Sequence, residues 1–169
     1  STSLEILDKK KDYLKIYLLS ANKNFKFICK QISKYKPEFF IIKNYKIFEK
    51  VHKKFRNKKT KILNSFDSSS LKKKSEITIS AIPGIAGLKP TLEMISKSKK
   101  ILIANKESII CGWDLIKKAS KRHKTKIIPI DSEHYSISKI LDNYKINEIK
   151  KIYITASGGP FLKFKQNQF

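Results

Sequence analysis

The sequence predicts an α/β fold built on a doubly wound parallel sheet, and two observations carry that prediction. Short apolar runs alternate with segments whose apolar residues recur at helical spacing, the βαβ pattern of a parallel sheet covered on both faces. Four short motifs also stand in series where strand-like runs end: 81–91, 104–108, 131–134 and 156–161. Carboxyl strand ends are where an open parallel sheet gathers its ligand-binding groups.

Taken in order, a helix opens the chain over Leu4–Lys10 and Tyr13–Ser20 reads as a strand. Asn24 to Lys34 carries Phe25, Ile28, Cys29 and Ile32 at helical spacing. Phe39–Ile42 is a short strand, and Tyr45–Phe55 an amphipathic helix with Ile47, Phe48, Val51 and Phe55 inward. Lys61–Leu63 is a strand, and the polar cluster Asp67–Lys74 a surface loop. Ile77–Ile82 is a strand, followed by a helix over Leu88–Ser96 with Pro90 in its first turn, where a missing N–H costs nothing. The alternation continues with a strand at Ile101–Ala104, a helix at Ser108–Ser120 and a strand at Lys126–Ile130. A helix at His134–Leu141 and a strand at Ile149–Ala156 complete it.

A chain of 169 residues is long enough for one domain with a real core, or for one domain and part of another. The 40% hydrophobic content, with 5 Gly and 5 Pro, argues for a packed chain. No apolar run approaches the ~20 residues of a membrane helix. The opening Ser1–Asp8 lacks the basic lead and apolar block of a signal peptide. Cys29 and Cys111 show no CxxC or CxxH spacing and read as ordinary thiols of a reducing compartment. A net charge of +24 invites a nucleic-acid reading, yet of 38 basic residues only Arg56 and Arg122 are arginine. Nucleic-acid surfaces recruit Arg for bidentate and stacking contacts. Lysine spread over the whole length beside Ile, Asn, Tyr and Phe reads instead as solvated helix faces under an A/T-rich coding bias, with no specific nucleic-acid partner.

Each motif has a chemical reading and a plain one. The small residues of Ile82–Gly87 let backbone amides approach a phosphate or ring at a helix N-terminus, or simply make a tight turn. They do not form GxGxxG. Asn105, Lys106 and Glu107 place a lysine where it neutralises an anionic substrate, or they cap a helix. Asp131 and Glu133 flank Ser132, and in an extended segment residues i and i+2 share a side, so both carboxylates can converge on one hard cation. Helix capping is the alternative for Asp131, and His134 is either a further ligand or structural. Ser157, Gly158 and Gly159 make a phosphate cradle or a Gly-Gly turn.

In order and wording these motifs resemble the 1-deoxy-D-xylulose 5-phosphate reductoisomerase family, the NADPH enzymes of the non-mevalonate isoprenoid pathway. The matching residues are 84–91 (GIAGLKPT), 102–108 (LIANKES), 129–134 (PIDSEH) and 155–161 (TASGGPF). The segment 19–24 (LSANKN) is similar to the one after the family's second strand, which meets the adenosine 2′-phosphate. The resemblance covers essentially the whole chain and is specific from about residue 77 onward. It departs at Tyr135-Ser136-Ile137-Ser138, where the family has Ser-Ala-Ile-Phe.

The resemblance implies a Rossmann-like NADPH-binding domain over 1–130 and the start of a catalytic domain over 131–169. It further implies that the family's Gly-rich GSTGSIG loop lies just before Ser1, and that the lid, the Asn-Lys-x-x-Glu motif and the helical domain lie beyond Phe161. The chain is thus expected to be an inactive internal piece of a longer enzyme. That enzyme would convert 1-deoxy-D-xylulose 5-phosphate to 2-C-methyl-D-erythritol 4-phosphate. Asp131 and Glu133 would hold Mg²⁺, Mn²⁺ or Co²⁺; Lys106 and Ser132 would hold the substrate, and Ser157 its phosphate. Lys106, Asp131 and Glu133 would be the catalytic set. Asn22, Lys23 and Asn24 would meet the 2′-phosphate of NADPH, and Asn105 and Glu107 its nicotinamide end. A homodimer in a bacterial cytoplasm, or in a plastid-type organelle, is implied as well. The rivals are another NADP-dependent dehydrogenase of doubly wound fold, which needs a Cys or His in the crevice, and a basic nucleic-acid-binding domain.

Overall fold

The computed structural model describes residues 2–9 and 13–153. Through them strands and helices alternate: α1 (Thr2–Lys9), β1 (Leu18–Ala21), α2 (Phe25–Tyr35), β2 (Phe39–Ile42), α3 (Tyr45–Phe55) and β3 (Lys61–Leu63). Then come β4 (Ser75–Ser80), α4 (Leu88–Ile95), β5 (Ser98–Ile103), α5 (Lys106–His123), β6 (Lys126–Pro129) and α6 (Ser132–Leu141). Every strand pairing is parallel. Leu18 lies opposite Phe39 and Phe39 opposite Lys61 in the order β1-β2-β3. Ser75 lies opposite Ser98 and Lys100 opposite Lys126 in the order β4-β5-β6.

The core follows from alternation along β2, all four of whose residues are buried. Phe40 and Ile42 pack with Ile28 and Ile32 of α2 and with Val51 and Phe55 of α3. Phe39 and Ile41 point the other way, into a cluster with Ile95, Ile101, Ile103 and Ile116. That second cluster takes side chains from β2 and β5 alike, so packing joins the two sheets. Each fully buried Ile contributes about 1.5–3 kcal/mol of burial free energy.

Four helices begin the same way. Asn24, Asn44, Asn105 and Asp131 each accept a backbone N–H three residues on, at 3.0–3.1 Å, so one orphan donor of α2, α3, α5 and α6 is satisfied. Residues Lys36 and Lys124 adopt positive φ of 45° and 53°, ending α2 and α5 and turning the chain into the next strand.

The α/β class and its parallel strands are as expected, with several corrections. The sheet comes as two three-stranded sheets, not one continuous sheet, among the described residues. The first strand is Leu18–Ala21 and does not reach back to Tyr13, because the last bond from β2 is Phe39 N to Tyr17 O at 3.0 Å; Tyr13 is 86% exposed. The loop after β3 is not wholly on the surface: Ser68–Ser70 forms a 3₁₀ turn and Leu71 is fully buried in the core. Strands β4 and β5 start two or three residues earlier than the apolar runs suggest, since Ser75 and Ser98 join the ladder through the backbone. Helices α5 and α6 begin at Lys106 and Ser132, directly after their caps. Residues 149–153 form no strand, and the rest of the expected strand lies outside the described residues.

Candidate active site

A cavity of about 700 Å³ opens at the carboxyl ends of the strands. The end of β1 gives it Ser20, Ala21 and Asn22, and Lys43 comes from just past β2. Ser65, Phe66 and Asp67 follow β3, Ala81, Ile82 and Pro83 follow β4, and α4 adds Lys89, Pro90 and Glu93. It is the crevice that a doubly wound topology creates. Among its lining groups Lys43 and Lys89 are cationic. Cys111 is exposed on α5 and Cys29 is buried in the core, so neither thiol lines the cavity.

One wall of the cavity is the loop between β4 and α4. Asn105, only 4% exposed, donates from Nδ2 to the carbonyls of Ile82 and of Gly84, the latter at 2.8 Å. From the far side Thr91 Oγ1 donates to Gly87 O at 2.7 Å. Gly84 has φ +69°, which only glycine adopts readily. Gly87 is obligatory for another reason: a Cβ there would collide with Asn105 Nδ2 and Ile82 O.

Beyond β5 and β6 a charged cluster forms. Lys106 Nζ lies 3.4 Å from Glu133 Oε1, and Ser132 Oγ donates to Glu133 Oε2 at 2.8 Å. The Ser132 hydroxyl first, then the Glu133 backbone N–H and then Lys106 hold the Glu133 carboxyl below its ordinary value. Asp131 Oδ1 accepts from His134 N at 3.1 Å and lies 2.7 Å from His134 Nδ1. Its Oδ2 is buried with no hydrogen-bond partner. This donor set suits a hard divalent cation: two carboxylates, one ionised in a polar setting and the other with an oxygen that nothing satisfies. It is also incomplete, since among the described residues no three His, Cys, Asp or Glu side chains come together as a cage.

The predicted residues are therefore partly assembled. Lys106 and Ser132 each contact Glu133, and Asp131 stands beside Ser132 in sequence as the α6 cap. The reason given for Asp131 and Glu133 to converge needs correcting: Glu133 is the second residue of a helix, not of an extended run. Asn22 lines the cavity; Lys23 is exposed one residue further on. The Asn24 and Asn105 side chains are engaged in capping, and Glu107 is exposed in the first turn of α5. Ser157 lies outside the described residues. Sequence reasoning missed Lys43, Ser65 and Asp67, which only the β2–β3 pairing brings to the cavity.

Comparison with known proteins gives the chain a family. Residues 1–112 match the family model described as 1-deoxy-D-xylulose 5-phosphate reductoisomerase, and residues 127–169 its C-terminal domain. The reductoisomerase of Pelagibacter ubique is 46% identical over 173 residues, covering 100% of this chain and 45% of its own. That of Clostridium novyi is 37% identical, covering 96% and 44%. Among solved structures, the Zymomonas mobilis reductoisomerase in complex with NADPH superposes with a TM-score of 0.80 at 26% identity, over 98% of this chain and 44% of the other. A DOX-P reductoisomerase structure with fosmidomycin and magnesium gives 0.82 at 27% identity, over 98% and 45%. The chain spans about 45% of the length of the curated relatives it matches. On sequence and fold alike, the chain belongs to the 1-deoxy-D-xylulose 5-phosphate reductoisomerase family.

Proposed function

We propose that this chain forms the cofactor-binding part and the start of the catalytic part of an NADPH- and divalent-metal-dependent reductoisomerase. Its substrate is 1-deoxy-D-xylulose 5-phosphate and its product 2-C-methyl-D-erythritol 4-phosphate. One observation carries the reading: a buried, unpartnered Asp131 oxygen stands next in sequence to the Lys106–Glu133–Ser132 cluster. The division between the parts falls after β6, near residue 130.

When bound, NADPH supplies the hydride and the cation polarises the substrate oxygens. Asp131 and Glu133 would hold the cation. Lys106 offers its ammonium to the anionic substrate, Ser132 a hydroxyl, and Ser157 binds the phosphate. Asn22 and Lys23, with Asn24 beside them, would meet the 2′-phosphate of the cofactor. Asn24 and Asn105 also set where α2 and α5 begin, and Asn105 and Glu107 would meet the nicotinamide end. The crevice would bring donor and acceptor together in one geometry. Bacterial relatives support a bacterial cytoplasm, and a homodimer is the assembly proposed. No helix among the described residues is long and apolar enough to cross a membrane.

The test follows NADPH absorbance in the full-length polypeptide after addition of 1-deoxy-D-xylulose 5-phosphate. Oxidation that depends on substrate and disappears with EDTA is expected. NADP⁺ reduction by a semialdehyde, with no NADPH oxidation by the phosphosugar, would assign the chain to another dehydrogenase activity.

A further inference from the structure

We infer that Ser80 and Thr91 form a positioning pair for the cofactor: a relay of two buried hydroxyls behind the 81–87 loop fixes the cavity wall on which NADPH lies. The inference rests on the functional reading above. Loop residues Ala81, Ile82, Pro83 and Ala86 line the cavity, whereas Ser80 and Thr91 do not. Ser80, the last residue of β4, is 8% exposed, and Thr91 of α4 is 1% exposed. Their hydroxyl oxygens lie 2.6 Å apart.

Proton counting fixes the direction of the relay. Each hydroxyl carries one proton. Thr91 gives its own to Gly87 O at 2.7 Å, so the proton between the two hydroxyls comes from Ser80. Gly87 N in turn donates to Gly84 O at 3.0 Å. The chain of bonds starts at the end of a strand, crosses to α4 and returns to the loop at Gly87 and Gly84. A threonine hydroxyl bonded four residues back does not strengthen a helix, and α4 is anchored by Met94 and Ile95 in the core. What the relay holds is the loop. Because neither side chain lines the cavity, any effect of the pair on the cofactor passes through that loop.

Substitutions along the relay test it in the full-length polypeptide. Thr91→Val keeps the shape and removes the hydroxyl, so the bond to Gly87 O and the acceptor for Ser80 are both lost. The NADPH Kd, measured by cofactor fluorescence well below the melting transition, should rise by about tenfold, the scale of one buried group left unpaired. NADH should lose as much, because the wall carries the body of the cofactor and reads no 2′-phosphate. Thr91→Ser keeps both bonds and should bind within about twofold of wild type. Ser80→Ala removes the first link alone and should raise the Kd by about threefold or more; where the valine variant fails to fold, this one decides. Adding Ser80→Ala to Thr91→Val should cost no more than Thr91→Val alone, since one relay is broken once. Variants that melted earlier but kept their NADPH Kd within about twofold of wild type would make the pair structural only and overturn the inference. A loss in Thr91→Val with none in Ser80→Ala would overturn it as well, because a direct contact of Thr91 with the cofactor needs no relay. A wild type that binds NADPH but ignores the phosphosugar would overturn the catalytic reading alone, and the Kd comparison would still decide the relay.

Discussion

Asp131 commits one carboxylate oxygen to His134, at 2.7 Å from Nδ1 and 3.1 Å from the backbone N, and leaves the other buried without a partner. A cap uses a single acceptor, so the second oxygen is surplus to helix α6. Asparagine caps about as well as aspartate. Asp131→Asn should therefore leave the melting temperature nearly unchanged and lower turnover of the full-length polypeptide by several orders of magnitude, with NADPH binding intact. Mg²⁺ or Mn²⁺ should raise the melting temperature of wild type by mass action and not that of the variant. Turnover preserved in Asp131→Asn would reduce the carboxylate to a cap.

Lys106 and Glu133 are half-exposed, with side chains 52% and 44% accessible, so solvent screening leaves their ion pair little to add to stability. Lys106→Met keeps the apolar stem and deletes the charge. The expected outcome is a KM for the phosphosugar raised about tenfold or more, the scale of one charge-assisted contact, with NADPH affinity little changed. Steady-state kinetics against both substrates check it. An equal loss in both would show that Lys106 serves the cofactor instead.

The sequence made some of this legible and hid the rest for physical reasons. Phe39–Ile42 and Tyr45–Phe55 were readable to the residue, because a wholly apolar tetrad and an amphipathic helix carry strong periodic signals. Tyr13–Ile16 looks like strand but joins no ladder, and pairing is not written in one strand alone. Leu71 sits in a polar stretch, and nothing local says that its side chain fills the core between the sheets. The candidate site was read as motifs, yet the extended run expected through Glu133 is a helix that begins one residue after Asp131. The double donation of Asn105 to Ile82 and Gly84 joins residues more than twenty apart, which spacing cannot reveal.

Lys23 follows Asn22 at the end of β1, beside the cavity. If it meets the 2′-phosphate, Lys23→Glu should weaken NADPH binding by about 1–3 kcal/mol, the scale of one charge-assisted contact, and NADH little. Fluorescence titrations with both cofactors measure the difference. Lys43 lines the same cavity from β2 and offers the comparison: if Lys43→Glu gave the larger NADPH-specific loss, the phosphate would belong to Lys43.

Thr125 stands at the turn between α5 and β6, the strand that delivers Asp131 to the site. It is 3% exposed, and its Oγ1 lies 2.7 Å from Ile95 O and 2.9 Å from Ser98 O. The hydroxyl has one proton, so it serves two carbonyls of the α4–β5 connection with one shared donor. Valine has the same shape and no donor. Thr125→Val should therefore cost about 1–3 kcal/mol, the penalty for leaving a buried acceptor unpaired. The change should appear as a lower denaturant midpoint with an unchanged slope, since the folded state stays compact. Thr125→Ser keeps the donor and should recover most of the loss, short of the missing methyl group. Thr60, whose Oγ1 donates to Pro37 O at 2.7 Å just before β3, plays the equivalent part in the other sheet, and Thr60→Val should behave alike. A valine variant at position 125 as stable as wild type would mean that the two carbonyls are satisfied without the hydroxyl, and that packing alone holds β6 in register with β5.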